Sequence, residues 1–232
     1  RANVETSSGT AKSTAKNRLE VQTAAGAANV TGKHIIIATG GRPKPLPFAP
    51  FDGKYIISSR DALDRREFPK SILIIGAGAI GVEFASFYSA FGSQVTIIEM
   101  MPHIVPVEDN ECSDTLKKAF EKRGIKIHVG AKTTSLKKKG EGVEAVIEVN
   151  GASTTLTADC ALVAIGVAPN TDNCNLEVTG VALDRGFIKV DESLKTNVPG
   201  LYAIGDVAGP PLLAHKASAE GVVCVERIAG HH

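Results

Sequence analysis

The chain has 232 residues, a net charge of +1 and an apolar fraction of 43%, values typical of a globular protein with one or two domains. The near-neutral charge excludes strong attraction to nucleic acid or to an anionic membrane surface. No apolar stretch is long enough to span a bilayer, so we expect neither nucleic acid nor membrane among its partners. The sequence starts at Arg1 without a targeting segment and ends at His231-His232, and we expect it to be a piece of a longer protein.

Four cysteines are scattered along the chain, and no two are spaced as CxxC: Cys112, Cys160, Cys174 and Cys224. This pattern predicts neither a zinc site nor a disulfide framework, and it is typical of a reducing compartment. Cys160 and Cys224 lie in apolar runs, which indicates that both are buried as small hydrophobic side chains. We expect no bound metal ion.

The first part of the chain predicts strands rather than helices. Residues 19–23 and 30–38 are apolar runs separated by a turn of small residues, whereas residues 1–18 show only a weak pattern. Four prolines follow between residues 43 and 50, and their missing N–H donors predict an irregular connection.

From residue 71 onward the predicted strands and helices alternate. They are a strand at 72–75, a helix ending at Gly92, a strand at 94–98, a helix at 111–123, a strand at 125–129, hairpins around Gly140 and Gly151, and a buried strand at 161–165. In the first helix the spacing of Ile80, Phe84, Phe87 and Phe91 predicts that these residues share one face of the helix. This alternation predicts an α/β fold with a parallel sheet, to which the hairpins add antiparallel strands.

After residue 170 the pattern changes to short strands at 187–190 and 201–204 and a helix at 212–229. We therefore divide the chain into residues 1–68, 69–169 and 170–232. The first and last segments are expected to fold together, with the middle domain inserted between them.

The central motif is the loop Gly76-Ala77-Gly78-Ala79-Ile80-Gly81, which follows an apolar strand and opens a helix. Gly76 permits the sharp turn, Gly78 lets the backbone approach a pyrophosphate, and Gly81 lets the helix pack closely. The free N–H groups of the first helical turn would bind the phosphates. The alternative is a glycine-rich turn without a ligand.

An acidic residue, Glu99, ends the next strand at the spacing expected for a ribose-binding residue. Its carboxylate can accept hydrogen bonds from the adenosine ribose of NAD, and it would repel the 2′-phosphate of NADP. The next residues are Met100 and Met101, and His103 is the only candidate cation nearby. The sequence therefore predicts NAD as the cofactor, with an ordinary strand-end acid as the alternative.

Several short strings occur in order: Ile37-Ala38-Thr39-Gly40, the glycine loop with Glu83 and Glu99, Ala164-Ile165-Gly166, Tyr202-Ala203-Ile204-Gly205-Asp206 and Leu213-Ala214-His215-Lys216-Ala217. Together they resemble the flavoprotein disulfide reductases, the class I pyridine nucleotide-disulfide oxidoreductases. The last string, followed by Glu220-Gly221, is most similar to the branch that oxidises dihydrolipoamide with NAD+. The resemblance implies a Rossmann-like NAD domain inserted in a partial FAD-binding domain.

The resemblance also implies cofactor contacts for particular residues. On the FAD side they are Thr39, Gly40 and Gly41 near the ADP half, Gly205 and Asp206 in the second FAD fingerprint, and Leu212, Leu213, Ala214 and His215 beside the flavin ring. On the NAD side they are Gly166 beside the dinucleotide, Thr133 near the adenine and Glu83 near the nicotinamide. Asp206 taken alone could be a helix N-cap, and Glu83 could be a helix-surface acid.

Three parts of the family pattern are absent from the sequence: an N-terminal GxGxxG, a CxxxxC redox disulfide and a C-terminal His–Glu pair. Val167 also stands where many relatives have arginine. We therefore expect no catalytic residue in this chain, which would be inactive alone and would hold only part of the FAD site.

The resemblance implies a homodimeric parent enzyme that takes dihydrolipoamide from a lipoyl carrier protein of a 2-oxo acid dehydrogenase complex. Its compartment would be the bacterial cytoplasm or an organelle matrix. The alternatives are an NADH oxidase or another NAD-linked flavoprotein disulfide reductase, and a non-catalytic NAD-binding module.

Overall fold

The structure, a computed structural model, describes residues 3–231, so the expectations about Arg1 and His232 fall outside it. The helices are α1 (Ser59–Asp64), α2 (Ala79–Ala90), α3 (Asn110–Lys122) and α4 (Ala214–Ile228). The strands are β1 (Gly9–Ala15), β2 (Arg18–Thr23), β3 (Gly26–Thr31), β4 (Ile35–Ile37), β5 (Gly41–Pro43), β6 (Ile56–Ile57), β7 (Ser71–Ile75), β8 (Gln94–Ile98), β9 (Lys126–His128), β10 (Lys132–Lys139), β11 (Gly142–Val149), β12 (Ala152–Ala158), β13 (Cys160–Val163), β14 (Val167–Pro169), β15 (Leu183–Asp184), β16 (Phe187–Ile188) and β17 (Leu201–Ala203). Within residues 3–231, no helix combines the length and the apolar character that a membrane crossing requires.

The chain divides into an inserted unit, Pro43–Val167, and a flanking unit made of the described residues before and after it. The expected boundary near residue 68 differs from this division, because residues 43–68 contact the inserted unit. Strand β6 pairs in parallel with β13, and Tyr55 and Ile57 are buried in the inserted unit's core. Such a two-residue strand carries too little periodic pattern to be predicted from sequence.

The inserted unit is built around a parallel five-stranded sheet in the order β6-β13-β7-β8-β9. Strand β7 is apolar at each of residues 72–75 because both of its faces are buried. Ile72 and Ile74 pack in one core cluster with residues of α2 and α3, whereas Leu73 and Ile75 pack in another with residues of β10 and β11. This three-layer arrangement confirms the predicted α/β class with a parallel sheet and antiparallel strands.

Of the residues predicted to share one face of α2, Phe84 packs partly buried against the core, whereas Phe87 and Phe91 do not. Small and branched residues and one tyrosine are buried instead: Gly81, Val82, Ala85 and Tyr88. Phe87 and Phe91 are 42% and 57% exposed, and the Phe91 ring stacks on Phe68 with 4.4 Å between centroids. In the first turn of the helix, a Cβ on Gly81 would overlap the carbonyl oxygen of Gly76, so a larger residue does not fit at this position.

The flanking unit contains an antiparallel sheet, β1-β2-β3, and a separate parallel pair, β4 and β17. In the parallel pair Ile37 lies opposite Ala203. The single strand predicted over residues 30–38 is wrong, because the chain leaves β3 at Thr31 and enters β4 at Ile35. Strand β1 was not predicted because its sequence, GTAKSTA, offers no large apolar residues for a periodic pattern.

Candidate functional site

The glycine loop lies at the carboxyl end of β7, and its three glycines have different surroundings. Gly76 has a φ of +100°, and a Cβ there would overlap the carbonyl oxygen of Ala164. A Cβ on Gly81 would overlap the carbonyl oxygen of Gly76. At Gly78, by contrast, a Cβ would meet nothing within 4 Å. The loop is therefore tightly packed at both ends and open at its middle glycine.

Helix α2 begins in this open region without a capping side chain. The first helical hydrogen bond runs from the N–H of Val82 to the carbonyl of Gly78 at 3.1 Å. The preceding N–H groups, at residues 79–81, have no acceptor among the described residues, although a helix start normally needs one. Open space together with unpaired donors fits the phosphates of a dinucleotide.

Glu99 is only 7% exposed and lies against the same loop. One carboxylate oxygen, Oε2, accepts a hydrogen bond from the N–H of Ala77 at 2.6 Å, and Oε1 accepts one from Met101 at 2.7 Å. Each oxygen keeps a second lone pair for another donor. The two backbone contacts fix the carboxylate beside the loop, which an ordinary strand-end acid on the surface would not require.

The segment after Glu99, residues 100–106, contacts the glycine loop and contains no lysine or arginine. Met100 and Met101 are 65% and 46% exposed. Further along, the N–H of Val105 donates to the carbonyl of Ala77 at 2.7 Å. Val105 holds this contact at a φ of +41°, a strained conformation for a β-branched residue. The segment is thus held near its start by the Glu99 carboxylate and at Val105 by the loop residue Ala77.

Three other residues with a predicted NAD role lie elsewhere in the inserted unit. Thr133 is in β10, two residues after Ala131, whose N–H donates to the carbonyl of Glu99 at 2.8 Å. The Thr133 hydroxyl is enclosed and has no hydrogen-bond partner among the described residues. Gly166 has a φ of +115° and open space at its Cβ position, and Glu83 is exposed on α2. The unpaired Thr133 hydroxyl fits a polar ligand, whereas exposure of Glu83 leaves both of its interpretations open.

The predicted FAD residues of the flanking unit follow the parallel pair β4 and β17. Because the carboxyl ends of parallel neighbours share one sheet edge, the turns after Ile37 and Ala203 start at the same edge. The first turn carries Thr39 and Gly40, and the second carries Gly205 and Asp206, the last in a 3₁₀ turn.

Two contrasting side chains occur at this edge. The Thr39 hydroxyl already donates to the carbonyl of Asn170 at 2.7 Å. The Asp206 carboxylate makes no hydrogen bond or ion pair within the described part of the chain, so it is free to accept from the hydroxyl groups of a ligand.

The last predicted FAD segment leads into α4. Leu212 is partly buried, whereas Leu213, Ala214 and His215 are exposed, and Leu213 forms the N-cap position. No side chain caps this helix start. The remaining residue with a predicted FAD role, Gly41, begins β5. Because residues 213–215 are exposed and no side chain caps the helix start, backbone atoms of this segment are accessible to a ligand.

Sequence reasoning missed two residues that hold the Asp206 turn. Lys216 and Glu220 form an ion pair at 2.9 Å on α4, and Glu220 also accepts a hydrogen bond from the N–H of Gly205 at 2.7 Å. Their i,i+4 spacing directly after the Gly-Asp string was a usable signal. The ion pair and hydrogen bonds of Arg42 with Asn170 and Asp172 had no such signal, because they join residues far apart in sequence.

The four cysteines are all free, and Cys160 and Cys224 are buried as predicted. Burial raises the pKa of the Cys160 thiol to about 11, which disfavours the reactive thiolate. Within residues 3–231, no group of three or more His, Cys, Asp or Glu side chains is arranged to hold a metal ion. The groups of the described residues that are available to a ligand are therefore backbone N–H groups and carboxylates, rather than reactive thiols.

Several dihydrolipoyl dehydrogenases resemble this chain over most of its length. Dihydrolipoyl dehydrogenase of Rhizobium etli is 52% identical over 206 residues, which are 88% of this chain and 43% of that protein. Dihydrolipoyl dehydrogenase of Zymomonas mobilis is 47% identical over 231 residues, which are 98% of this chain and 49% of that protein. The chain spans less than half the length of either relative.

Solved structures agree with this similarity. A Cu(II) complex of the HOCl-induced flavoprotein disulfide reductase RclA from Escherichia coli, a cysteine-to-serine mutant, matches with a TM-score of 0.89 and 27% identity. The match covers 99% of this chain and 52% of that one. LpdA from Mycobacterium tuberculosis matches with a TM-score of 0.86 and 29% identity over 99% of this chain and 49% of that one.

A family model described as pyridine nucleotide-disulphide oxidoreductase matches residues 1–221. The family description thus names a pyridine nucleotide, and RclA is a flavoprotein by its description, in agreement with the open glycine loop and the unpaired Asp206 carboxylate. The match includes both units and nearly the whole chain. This chain belongs to the pyridine nucleotide-disulphide oxidoreductase family.

Proposed function

We propose that the chain is the NAD-binding part, with one portion of the FAD site, of a dihydrolipoyl dehydrogenase. Relatives with that name are 40–52% identical to it and come from bacteria and plant mitochondria. The observation that carries the cofactor assignment is Glu99, a nearly buried carboxylate fixed beside the glycine loop with no lysine or arginine in residues 100–106.

In this proposal the glycine loop and Glu99 bind different parts of NAD. The N–H groups of Ala79, Ile80 and Gly81 bind the pyrophosphate, and Gly78 leaves room for it. Glu99 accepts hydrogen bonds from ribose hydroxyls with its remaining lone pairs. A 2′-phosphate at that position would meet a carboxylate already held in place by two backbone donors, so NADP is disfavoured.

In the flanking unit, Asp206 would accept hydrogen bonds from the ribityl chain or from a hydrated phosphate of FAD, and Gly40 and Gly41 would lie near its ADP half. Backbone atoms of residues 212–215 would approach the flavin ring. When bound, FAD and NAD supply the electron and hydride transfer, and the residues of this chain bind and orient them.

The parent protein would oxidise dihydrolipoamide carried on a lipoyl carrier protein of a 2-oxo acid dehydrogenase complex, through a disulfide and FAD to NAD+. It would act as a homodimer in the bacterial cytoplasm or an organelle matrix. No two of the four cysteines in this chain have CxxxxC spacing. We therefore expect the chain alone not to oxidise dihydrolipoamide and not to retain FAD tightly.

A second candidate is another NAD-linked flavoprotein disulfide reductase or an NADH oxidase. The match to RclA with a TM-score of 0.89 favours this wider class. The Leu-Ala-His-Lys-Ala string and the higher identity to dihydrolipoyl dehydrogenases favour the first candidate. A non-catalytic NAD-binding module would share the glycine-loop chemistry but would show no turnover in the full-length protein.

The cofactor assignment is tested by titrating NADH and NADPH into the purified chain. Because the chain has no tryptophan, the fluorescence of the reduced nicotinamide reports binding without interference from tryptophan emission. We expect NADH to bind at least about tenfold more tightly than NADPH, since one unfavourable charged contact costs more than about 1.4 kcal/mol. No NADH binding at millimolar concentration, or equal binding of the two nucleotides, would contradict the assignment.

Variants at Glu99 test how much its carboxylate contributes to NADH binding. Glu99→Ala should weaken NADH binding by about tenfold or more, and Glu99→Gln should do so less, because one amide oxygen still accepts a hydrogen bond. The matched control is Glu108→Gln, which removes an exposed carboxylate of the same segment and should leave affinity unchanged. Replacing Met100 and Met101 by arginine should shift the preference toward NADPH.

The substrate assignment needs the full-length protein. Reduction of NAD+ by dihydrolipoamide, measured at 340 nm, supports the first candidate. Rapid oxygen consumption with NADH and no turnover of dihydrolipoamide would support an NADH oxidase instead.

A further inference from the structure

The side chains of Lys216 and Glu220 on α4 both contact the turn that carries Asp206. Glu220 Oε2 accepts a hydrogen bond from the N–H of Gly205 at 2.7 Å, while its Oε1 pairs with Lys216 Nζ at 2.9 Å. Lys216 Nζ also donates to the carbonyl of Gly209 at 2.8 Å and lies 3.5 Å from the carbonyl of Gly205. The pair therefore contacts the backbone at both ends of the turn.

The turn is also in close contact with the helix. Gly205 has a φ of +73°, and a Cβ there would lie 3.3 Å from the Cβ of Ala217. A Cβ on Gly221 would lie 3.7 Å from the side chain of Ile204. Ala217 and Gly221 of α4 thus pack closely against the turn and its preceding residue, and Lys216 and Glu220 lie beside them on the same side of the helix.

The arrangement of the pair is unfavourable for helix stability alone. Lys216 is in the first turn of α4, where the helix dipole disfavours a positive charge. The order of Lys before Glu is also the weaker orientation of an i,i+4 pair. Both side chains are less than 20% exposed, although an ion pair that served only the helix could remain in water. Their contacts with Gly205 and Gly209 account for this placement.

We infer that Lys216 and Glu220 are positioning residues that fix the Gly205–Gly209 turn, so that the Asp206 carboxylate stays unpaired and directed to the flavin cofactor. This inference rests on the proposed FAD site. The Asp206 side chain makes no hydrogen bond or ion pair among residues 3–231 that would hold the turn, and the turn follows a parallel pair of only two strands. Without the pair, the turn would keep the buried Val207 side chain, the contact with Ala217 and the Gly209-to-Asp206 backbone hydrogen bond, but it would lose the bonds from its Gly205 N–H and its Gly209 carbonyl to α4.

The test uses the full-length flavoprotein with Lys216→Met, Glu220→Met, Lys216→Arg and the exchanged pair Lys216→Glu/Glu220→Lys. The exchanged pair keeps an ion pair on the helix, but its lysine cannot accept the Gly205 N–H and its glutamate cannot donate to the Gly209 carbonyl. Glu226→Gln, an exposed change on the same helix, is the matched control. FAD affinity, the flavin absorption spectrum and NADH affinity are measured for each variant.

We expect the two methionine variants and the exchanged pair to retain FAD about tenfold less tightly and to shift the flavin spectrum, as loss of a charge-assisted hydrogen bond predicts. Lys216→Arg should restore most of the affinity, and NADH affinity should stay within about twofold in every variant. Wild-type FAD affinity in the methionine variants, or recovery by the exchanged pair, would overturn the inference.

A second measurement separates failure of this inference from failure of the proposed function. If the wild-type full-length protein binds no FAD, the proposed function is wrong. The positioning role of Lys216 and Glu220 can then still be tested by measuring how stable the Gly205–Gly209 turn is without a ligand. Hydrogen exchange of the Gly205 amide in this chain should then be about tenfold faster in Glu220→Met than in Glu226→Gln. Equal exchange in the two variants would overturn the positioning role.

Discussion

The inserted and flanking units hold the turns that we propose to bind their ligands by different means. In the inserted unit, the glycine loop follows a strand that is buried on both faces, and Ile72, Ile74 and Leu162 are fully enclosed. In the flanking unit, the Asp206 turn follows a parallel pair of two strands. Helix α4 buries only Cys224 among its described residues, and Val222 and Val225 are 60% and 56% exposed.

This difference shows that apolar packing can fix the conformation of one turn, whereas another turn also needs polar contacts. The glycine loop is shaped by steric contacts with neighbouring backbone and by a dense core beneath it. The Asp206 turn has a smaller apolar core beneath it, to which Val207 belongs, and it is also held by charge-assisted hydrogen bonds with Lys216, which donates, and Glu220, which accepts. We expect the inserted unit to be the more stable of the two and to keep its site geometry when the flanking unit is perturbed.

The largest expected effect comes from the core of the inserted unit. Ile74→Ala should lower the free energy of unfolding by about 2–5 kcal/mol, because the side chain is fully buried and a cavity would remain. Val225→Ala in α4 should change it by less than about 0.5 kcal/mol, since that side chain is mostly exposed. Urea unfolding followed by circular dichroism measures both. Equal destabilisation by the two changes would remove the contrast between the units.

Glycine substitutions distinguish packing from ligand access within the loop. Gly76→Ala should lower stability by about 1–3 kcal/mol and abolish NADH binding, because φ is +100° and the methyl group overlaps a carbonyl. Gly78→Ala should fold with nearly wild-type stability, since its Cβ position is open, yet weaken NADH binding by blocking the phosphates. Thermal unfolding and NADH titration measure the two effects. Wild-type NADH affinity in Gly78→Ala would contradict the placement of the pyrophosphate.

The central elements of the inserted unit could be predicted from sequence, because β7 and β13 are apolar runs and because glycines follow the ends of α2 and α3. The predictions failed where a non-local contact decided the outcome. In α2 the Tyr88 side chain is buried, whereas Phe87 and Phe91 are exposed and Phe91 stacks on Phe68, a residue before β7. Strand β6 forms only because β13 lies beside it.

The candidate site shows the same limit. The glycine loop and Glu99 could be predicted because motif spacing reflects local backbone geometry. The backbone contacts of Glu99 with Ala77 and Met101 could not, because a motif gives residue types without the orientation of side chains. The unpaired hydroxyl of Thr133 likewise depends on how a strand from elsewhere in the chain packs.

Thiol labelling compares the opening of the two units directly. Cys160 in the inserted unit and Cys224 in the flanking unit are both fully buried, and burial raises the pKa of each thiol. Because α4 has few apolar contacts, we expect Cys224 to react about tenfold faster or more than Cys160. Peptide mass spectrometry after timed alkylation measures both rates, with exposed Cys112 as the internal reference. Faster labelling of Cys160 would reverse the predicted order of stability.

The smallest expected effect concerns the two enclosed hydroxyl groups without partners in the inserted unit, on Thr133 and Tyr88. Thr133→Val and Tyr88→Phe each remove an unpaired hydroxyl with little change in shape, so stability should stay equal or rise by about 1 kcal/mol. Only Thr133 lies on the strand that begins beside Glu99. If its hydroxyl binds the adenosine part of NAD, Thr133→Val should weaken NADH binding by about three- to tenfold, because the net worth of one hydrogen bond is lost. Tyr88→Phe should leave NADH binding unchanged, and an equal effect of both variants on affinity would show that the Thr133 hydroxyl is unpaired for a reason unrelated to the ligand.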